Sequence, residues 1–165
     1  MNEGEIPELI ANIGQFVIEK KPYLLTCLGL GSCVGVTLYQ DENNYAGMMH
    51  VMLPKSNADA AKSSNYFKYA DVGIPLLLEE LERRGCAKEK LKAKIAGGAH
   101  MFKNTAAQDI MDIGARNIEA VRDVLQNLNI KIISEDVAGT LGRTMKLDTQ
   151  TGNVTIKTKD GTKII

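Results

Sequence analysis

The sequence predicts an α+β domain in which packed β-sheets, rich in hairpins and mostly antiparallel, are flanked by two main helices. Short apolar segments with strand character recur along the chain, and two longer segments carry apolar residues at helical spacing. The two kinds of segment do not alternate regularly, as they would in a βαβ fold. With 165 residues and 44% hydrophobic content, the chain suits one compact core, and we expect residues 1–165 to form a single domain.

The first half of the chain is predicted to be mainly β-structure. Alternating apolar and polar side chains indicate a strand over residues 14–20, and a second strand follows over 23–28. Residues 34–39 are β-branched and apolar, and strand character returns over 45–53 after a polar turn. We expect these last two segments to pair as an antiparallel hairpin.

The second half contains both predicted helices. Apolar residues at helical spacing predict a helix at about 73–84, which Gly85 ends and which Pro75 either starts, in the first turn, or bends. A second amphipathic helix is predicted over 112–128, with Asp112 as its cap. Four further segments have strand character: 91–96, 129–134, 144–147 and 154–157. The last two are expected to pair as a C-terminal hairpin.

Charge and cysteine content narrow the functional classes. Lys+Arg and Asp+Glu both number 20 and form no long run of one sign, so the chain lacks the footprint of a nucleic-acid or membrane-surface binder. Three cysteines fit neither a disulfide framework nor a paired zinc site, and we expect reduced thiols. The acidic N-terminus has no signal-peptide pattern, and no apolar run approaches ~18 residues. These features predict a soluble, cytoplasmic protein without membrane insertion.

A glycine-rich turn places a cysteine where acyl-transfer chemistry needs one. Cys33 follows Gly31 and Ser32, and backbone N–H groups that converge at such a turn favour a thiolate and can hold an oxyanion. His50 lies 17 positions later, and the expected hairpin brings it towards Cys33 as a candidate general base. Taken singly, each residue is more typical of a structural role, as an inert buried thiol or a hydrogen-bonded histidine on a strand.

A second glycine turn offers rival and accessory residues. Gly97 and Gly98 end a predicted strand, and they either form a tight turn with positive φ or permit close approach of a substrate. His100 follows them and is a rival base if this turn faces the same cleft. Arg116 and Asn117 are expected to be solvated residues of the second helix, with a substrate contact as the alternative for Arg116.

Four separated motifs together resemble the CheD family, the chemoreceptor glutamine deamidases of bacterial chemotaxis. They are residues 28–34, 47–54, 94–99 and 113–117, and the resemblance runs nearly end to end. It implies packed sheets flanked by helices in a layered α/β/β/α sandwich, akin to the catalytic domain of cytotoxic necrotizing factor toxins. It also implies hydrolysis of receptor glutamines to glutamates with release of ammonia, with Cys33 as nucleophile and His50 as its base. This chemistry needs no metal or organic cofactor.

The resemblance implies a third catalytic group that this chain lacks at its usual place. The family has a threonine six residues before the cysteine, whereas here that position is Cys27 and the neighbouring residue is Thr26. Adjacent side chains on a strand point to opposite faces, so Thr26 does not replace the family threonine unless a bulge shifts the register. Either Cys27 or a backbone carbonyl orients the imidazole, or the third group is dispensable, or turnover is weak.

The resemblance also implies two protein partners. One is the cytoplasmic helical domain of chemoreceptors, and the other is a CheC-type response-regulator phosphatase that competes with receptors. We expect the loop over 54–64 and the segment from Gly97 to Phe102 to contribute to the shared surface.

Two other functions stay open at this point. A non-catalytic adaptor that binds receptors or the phosphatase is favoured by the missing threonine. A cysteine amidase acting on a small metabolite would instead require a closed, deep pocket at Cys33.

Overall fold

The computed structural model describes residues 4–42, 45–101 and 112–165, so Phe102 lies outside the described residues. Over these residues the chain forms ten strands, two α-helices and three short 3₁₀ helices at Ala60–Lys62, Tyr66–Lys68 and Lys88–Lys90. The bounds of the main elements are β1 Glu8–Ile10, β2 Phe16–Lys20, β3 Leu24–Leu30, β4 Val34–Tyr39, β5 Tyr45–Val51, α1 Ala70–Arg83, β6 Lys92–Gly97, α2 Ile113–Asn127, β7 Lys131–Val137, β8 Arg143–Asp148, β9 Val154–Thr158 and β10 Gly161–Ile164.

The strands form two five-stranded sheets. The first sheet has the order β1-β3-β8-β9-β10, and the second has the order β2-β5-β4-β6-β7. Among the described strand pairs, β1 with β3 and β6 with β7 are parallel, and the other six are antiparallel. The predicted α+β class, with hairpin-rich and mostly antiparallel sheets and two main helices, is confirmed.

Both helices pack on the same face of the second sheet. Helix α1 contacts β5, helix α2 contacts β4, β6 and β7, and the two helices contact each other. In the described residues the layers are therefore, in order, the helices, the second sheet and the first sheet. The α/β/β/α sandwich that the resemblance implies has one more helical layer. Strand β8 alternates buried and half-buried residues, which is the pattern of a sheet whose outer face meets solvent and needs no helical cover. Neither α1 nor α2 is long and apolar enough to cross a membrane.

The β4–β5 hairpin decides which side of the second sheet each side chain faces. It forms the predicted antiparallel pair, with Gly35 opposite His50. Met49 and Val51 belong to the core under the helices, whereas Met48 belongs to the core between the two sheets. Because successive strand residues alternate between faces, His50 points towards the first sheet.

Helix α1 begins at Ala70, three residues before the predicted start, so Pro75 is its sixth residue and lies beyond the first turn. Tyr69 forms an isolated bridge with Leu53, and Ala70 N donates to the Leu53 carbonyl at 3.0 Å. This contact between distant segments fixes the helix start, which local spacing does not show.

Gly73 lies where α1 packs against β5, so a substitution at this position tests the packing. Gly→Ala inside a helix ordinarily stabilises by roughly 1 kcal/mol. Here a Cβ would overlap the Met49 side chain and the Phe67 carbonyl oxygen. We therefore expect Gly73→Ala to lower the free energy of unfolding by about 1–3 kcal/mol in urea denaturation. Glu82→Ala, at an exposed position of the same helix, should shift it by less than about 0.5 kcal/mol. A Gly73→Ala variant as stable as the parent would contradict this packing.

Candidate active site

Cys33 lies in the turn that connects β3 of the first sheet with β4 of the second. The turn is held by the segment after β6, since Ala99 N donates to the Gly31 carbonyl and Gly98 N donates to the Cys33 carbonyl, both at 2.8 Å. Cys33 is half-buried and packs against the core between the sheets. The two glycine turns singled out in the sequence are therefore direct neighbours.

Gly97 and Gly98 both have the backbone conformation that favours glycine, with φ of 111° and 69°. A Cβ on Gly97 would overlap the Cys33 carbonyl oxygen, and a Cβ on Gly98 would overlap the Ile118 side chain. The close approach that these glycines permit is thus to the backbone of the Cys33 turn and to helix α2.

His50 is 1% exposed and faces the first sheet from β5. Its Nδ1 lies 3.2 Å from the carbonyl oxygen of Ala11, which follows β1. Because a carbonyl oxygen only accepts hydrogen bonds, this contact places the proton on Nδ1 and leaves the basic lone pair on Nε2. Nε2 is buried and has no hydrogen-bond partner among the described residues. Burial lowers the pKa of His50 below its ordinary value of 6.5, so the imidazole is neutral at neutral pH.

The hairpin register relates Cys33 to His50. Gly35 is opposite His50, and Cys33 precedes Gly35 by two residues, so Cys33 and His50 are diagonal neighbours. Both contribute to the layer between the sheets, where diagonal neighbours lie about 7 Å apart and within reach of a long side chain. The structure therefore brings the two predicted residues to one face of the sheet.

Electrostatics at Cys33 favour the neutral thiol. Burial raises the pKa of Cys33 above its ordinary value of 9.0, which opposes the thiolate that the glycine turn is predicted to favour. At neutral pH the pair is a thiol beside a neutral imidazole. Such a pair reacts by general-base catalysis, in which the thiol loses its proton as the sulfur attacks.

Thr26 lies on the opposite face of β3 from Cys27. Its hydroxyl donates to a carboxylate oxygen of Glu8 at 2.6 Å, on the outer side of the first sheet. The pairing of β3 with β8 shifts register only between Cys27 and Leu30, so the irregularity does not turn Thr26 inward. The structure does not bring Thr26 to the imidazole.

Cys27 is fully buried between the sheets, and its Sγ donates to the Met49 carbonyl at 3.7 Å. Burial raises the pKa of this thiol, which keeps it neutral. His50 Nδ1 donates instead to the carbonyl of Ala11, and a backbone carbonyl was one of the alternatives that the sequence left open.

Asn117 is a buried residue of this region, and the expectation that it is solvated is wrong. It is 0% exposed, and its Nδ2 donates to the carbonyls of Ser32 at 2.9 Å and Met52 at 3.0 Å. A signal for this burial was present in the sequence, because Asn117, Val121 and Leu125 are spaced four residues apart and form one face of the helix.

The remaining predicted residues lie beside this region. His100 is 37% exposed at its side chain, and its Nδ1 lies 3.2 Å from a carboxylate oxygen of Asp112, the cap of α2. Arg116 is exposed, as expected, and lines a groove of about 220 Å³ together with Lys55. Phe102 falls outside the described residues.

Comparisons with known proteins decide the family. The family model described as CheD chemotactic sensory transduction matches residues 52–158. A Clostridium botulinum protein named "Probable chemoreceptor glutamine deamidase CheD" is 44% identical over 162 residues, which is 98% of this chain and 99% of that protein. The chain belongs to the CheD family. A CheD relative of the same name from Clostridium kluyveri is 44% identical over 154 residues, covering 93% of this chain and 94% of the relative.

The CheD resemblance inferred from four motifs is thus confirmed. Cys33 and His50 precede the part matched by the family model, but the alignments with the curated relatives span nearly the whole chain. Among solved structures, the Bacillus licheniformis hypothetical protein YfiH is similar with a TM-score of 0.40 and 12% identity. That similarity covers 73% of this chain and about half, 51%, of the YfiH chain.

The contact of Gly97 with the Cys33 carbonyl can be tested with two glycines. Gly85 also has positive φ, but a Cβ there would meet nothing within 4 Å. We expect both Gly85→Ala and Gly97→Ala to lose about 1–2 kcal/mol of unfolding free energy from backbone strain. Gly97→Ala should lose more and should also change the rate at which iodoacetamide labels Cys33, measured by peptide mass spectrometry. Equal unfolding losses and an unchanged labelling rate in the two variants would contradict the contact.

Proposed function

We propose that this chain is a cysteine-dependent protein glutamine deamidase, which converts selected glutamines of chemoreceptors to glutamates and releases ammonia. The main support is the buried His50, whose Nδ1 is bound to the Ala11 carbonyl. Its Nε2 lies on the face shared with Cys33 and has no partner in the described part of the chain. The names of the CheD relatives support the substrate class. In this proposal residues 1–165 act as one deamidase domain.

In the first half-reaction, Cys33 Sγ attacks the carboxamide carbon of the substrate glutamine. As the sulfur–carbon bond forms, His50 Nε2 accepts the thiol proton and the amide oxygen becomes an oxyanion. His50 then gives that proton to the amide nitrogen, the carbon–nitrogen bond breaks, and ammonia leaves. The product of this step is a thioester between Cys33 and the glutamyl side chain.

In the second half-reaction, water replaces ammonia. His50 Nε2 takes a proton from the water as its oxygen attacks the thioester, and the proton then returns to Cys33 Sγ as the carbon–sulfur bond breaks. The Ala11 carbonyl accepts from Nδ1–H throughout and so stabilises the imidazolium that forms in each half-reaction. The Ala11 carbonyl, a neutral backbone acceptor, thus has the role that the family resemblance assigns to threonine.

Backbone N–H groups of Ser32 and Cys33 are the proposed oxyanion donors. A trans peptide points its N–H away from its carbonyl, so a bond that holds the carbonyl also directs the N–H. The Gly31 carbonyl is held by Ala99 N, which directs the N–H of Ser32, and the Ser32 carbonyl is held by Asn117. Preorganised donors of this kind stabilise the charge that develops at the amide oxygen.

Exposed apolar side chains favour a protein substrate. Of the nine large hydrophobic side chains that are exposed in the described residues, five lie on segments that adjoin Cys33 or His50: Ile13, Leu28, Met52, Phe67 and Met101. We call these five residues the apolar rim. Exposed apolar side chains beside a site are typical of surfaces that bind proteins. A cavity of about 450 Å³ lies between the β7–β8 loop and the C-terminal hairpin, but neither Cys33, His50 nor the apolar rim lines it.

The same surface is the proposed binding site for a CheC-type phosphatase. It adjoins the loop over 54–64, which is tied to α1 because Ser56 N and Oγ both donate to the Asp71 carboxylate. Competition between receptor and phosphatase for one surface then follows from overlap of the two binding sites.

Replacement of the nucleophile tests the proposed reaction. Cys33→Ala should abolish conversion of receptor glutamine to glutamate, because no thioester forms without the sulfur. Conversion is measured by mass spectrometry of a receptor cytoplasmic fragment. Cys86→Ala is the matched control, since Cys86 is buried in the core under the helices, and it should keep the parent rate.

Pull-downs with the same variants separate catalysis from binding. Cys33→Ala retains the apolar rim, so it should still bind both the receptor fragment and the phosphatase. Conversion by Cys33→Ala at the parent rate would overturn the mechanism. A parent protein that binds receptor without converting any glutamine would establish the adaptor function instead.

The pH dependence distinguishes a neutral pair from a thiolate–imidazolium pair. Burial lowers the pKa of His50 below 6.5 and raises that of Cys33 above 9.0, so the reactive neutral forms coexist across this whole interval. We expect kcat/KM to stay level from pH 6.5 to 9.0, to fall at lower pH as His50 gains a proton, and to fall at higher pH as the thiol ionises. Circular dichroism at each pH controls for unfolding. If the fall of kcat/KM at low pH had its midpoint above pH 6.5, the neutral pair would be contradicted.

A further inference from the structure

We propose that Asn117 is a positioning residue, which orients the Ser32–Cys33 peptide so that the Cys33 N–H faces the oxyanion formed during deamidation. This inference rests on the proposed function, because it assigns Asn117 a part in the reaction of Cys33. Asn117 itself is 0% exposed, so it acts through the peptide that it holds and does not touch the substrate.

Asn117 fixes the direction of the Ser32–Cys33 peptide. Asn117 Nδ2 donates to the Ser32 carbonyl at 2.9 Å from helix α2, which packs on the helix-covered face of the second sheet. In a trans peptide the N–H of the following residue points the opposite way. The hydrogen bond from Asn117 therefore fixes the direction of the Cys33 N–H, which points away from the Asn117 amide.

Asn117 also links the Cys33 turn to the strand that carries His50. The same Nδ2 donates to the Met52 carbonyl at 3.0 Å, just after β5 ends. One amide group thus ties the Cys33 turn to the segment that follows His50. Because both acceptors are carbonyls, the amide has one orientation, with the nitrogen towards the two carbonyls and Oδ1 away from them.

This arrangement leaves buried polar atoms unpaired, which costs folding free energy. Among the described residues, Asn117 Oδ1 and His50 Nε2 are the buried side-chain polar atoms without a hydrogen-bond partner. A buried unpaired polar atom costs folding free energy, and such atoms call for a functional explanation. Both atoms belong to residues next to Cys33. Asn117 is bound to the Ser32 carbonyl, and His50 is the diagonal neighbour of Cys33 in the hairpin.

The test compares two reactions of the same sulfur. Deamidation develops an oxyanion, whereas alkylation by iodoacetamide occurs at a saturated carbon and develops none. Asn117→Ala and Asn117→Asp both remove the donor, and the second keeps the side-chain size. We expect each variant to lower kcat for the receptor fragment about 10- to 100-fold, which is less than the ~10²–10³-fold loss that follows removal of a whole oxyanion donor. KM and the alkylation rate of Cys33 should stay within about twofold of the parent values.

A matched control addresses stability alone. Thr37 is also fully buried, and its hydroxyl donates to the Lys94 carbonyl and accepts from Lys94 N, both at 3.1 Å, within the second sheet. Thr37→Val removes both bonds while keeping the shape, so it should lower stability and leave kcat unchanged. All variants are compared at temperatures at which circular dichroism shows them folded.

The outcomes separate this inference from the proposed function. Equal losses of kcat and alkylation rate in both Asn117 variants would overturn the inference, because they would show a general disturbance of the turn. An unchanged kcat would overturn it as well. Cys33→Ala and the parent protein are assayed in parallel, since the activities of these two proteins decide whether the proposed function stands, whatever the Asn117 variants do.

Discussion

The antiparallel register between β4 and β5 is the constraint on which the candidate site depends. It sets Gly35 opposite His50 and so makes Cys33 a diagonal neighbour of the imidazole. A slip of one residue would turn His50 into the core under the helices and bring Met49 to the layer between the sheets. The apolar residues of β4 oppose such a slip, because all six residues of this strand are buried and each face packs against its own core.

Burial between two sheets explains the chemistry that the site supports. Desolvation lowers the pKa of His50 and raises that of Cys33, so both groups rest in their neutral forms. A neutral imidazole needs only an acceptor at Nδ1, and the Ala11 carbonyl supplies one without a second buried charge. The carbonyls of Gly31 and Ser32 are bound from outside the turn, which leaves the geometry of the turn defined before any substrate arrives.

Local patterns predicted the elements that carry Cys33, His50 and Asn117 but missed β1, the strand that precedes Ala11. The hairpin, both helices and most strands follow from periodicity within short segments. Strands β1 and β10 were not predicted, because each has only three or four residues and pairs at the edge of a sheet. The start of α1 was placed too late, since the bridge between Leu53 and Tyr69 sets it.

The sequence by itself determined the α+β class, the β4–β5 hairpin and, through four ordered motifs, the family, and it predicted Cys33 and His50 as a catalytic pair. These inferences rest on side-chain chemistry and on spacing within short segments. Only the tertiary structure decided that the Ala11 carbonyl orients the imidazole and that Asn117 holds the Ser32 carbonyl. A backbone acceptor has no signature in a sequence, and a hydrogen bond between residues 85 positions apart exists only once the chain has folded.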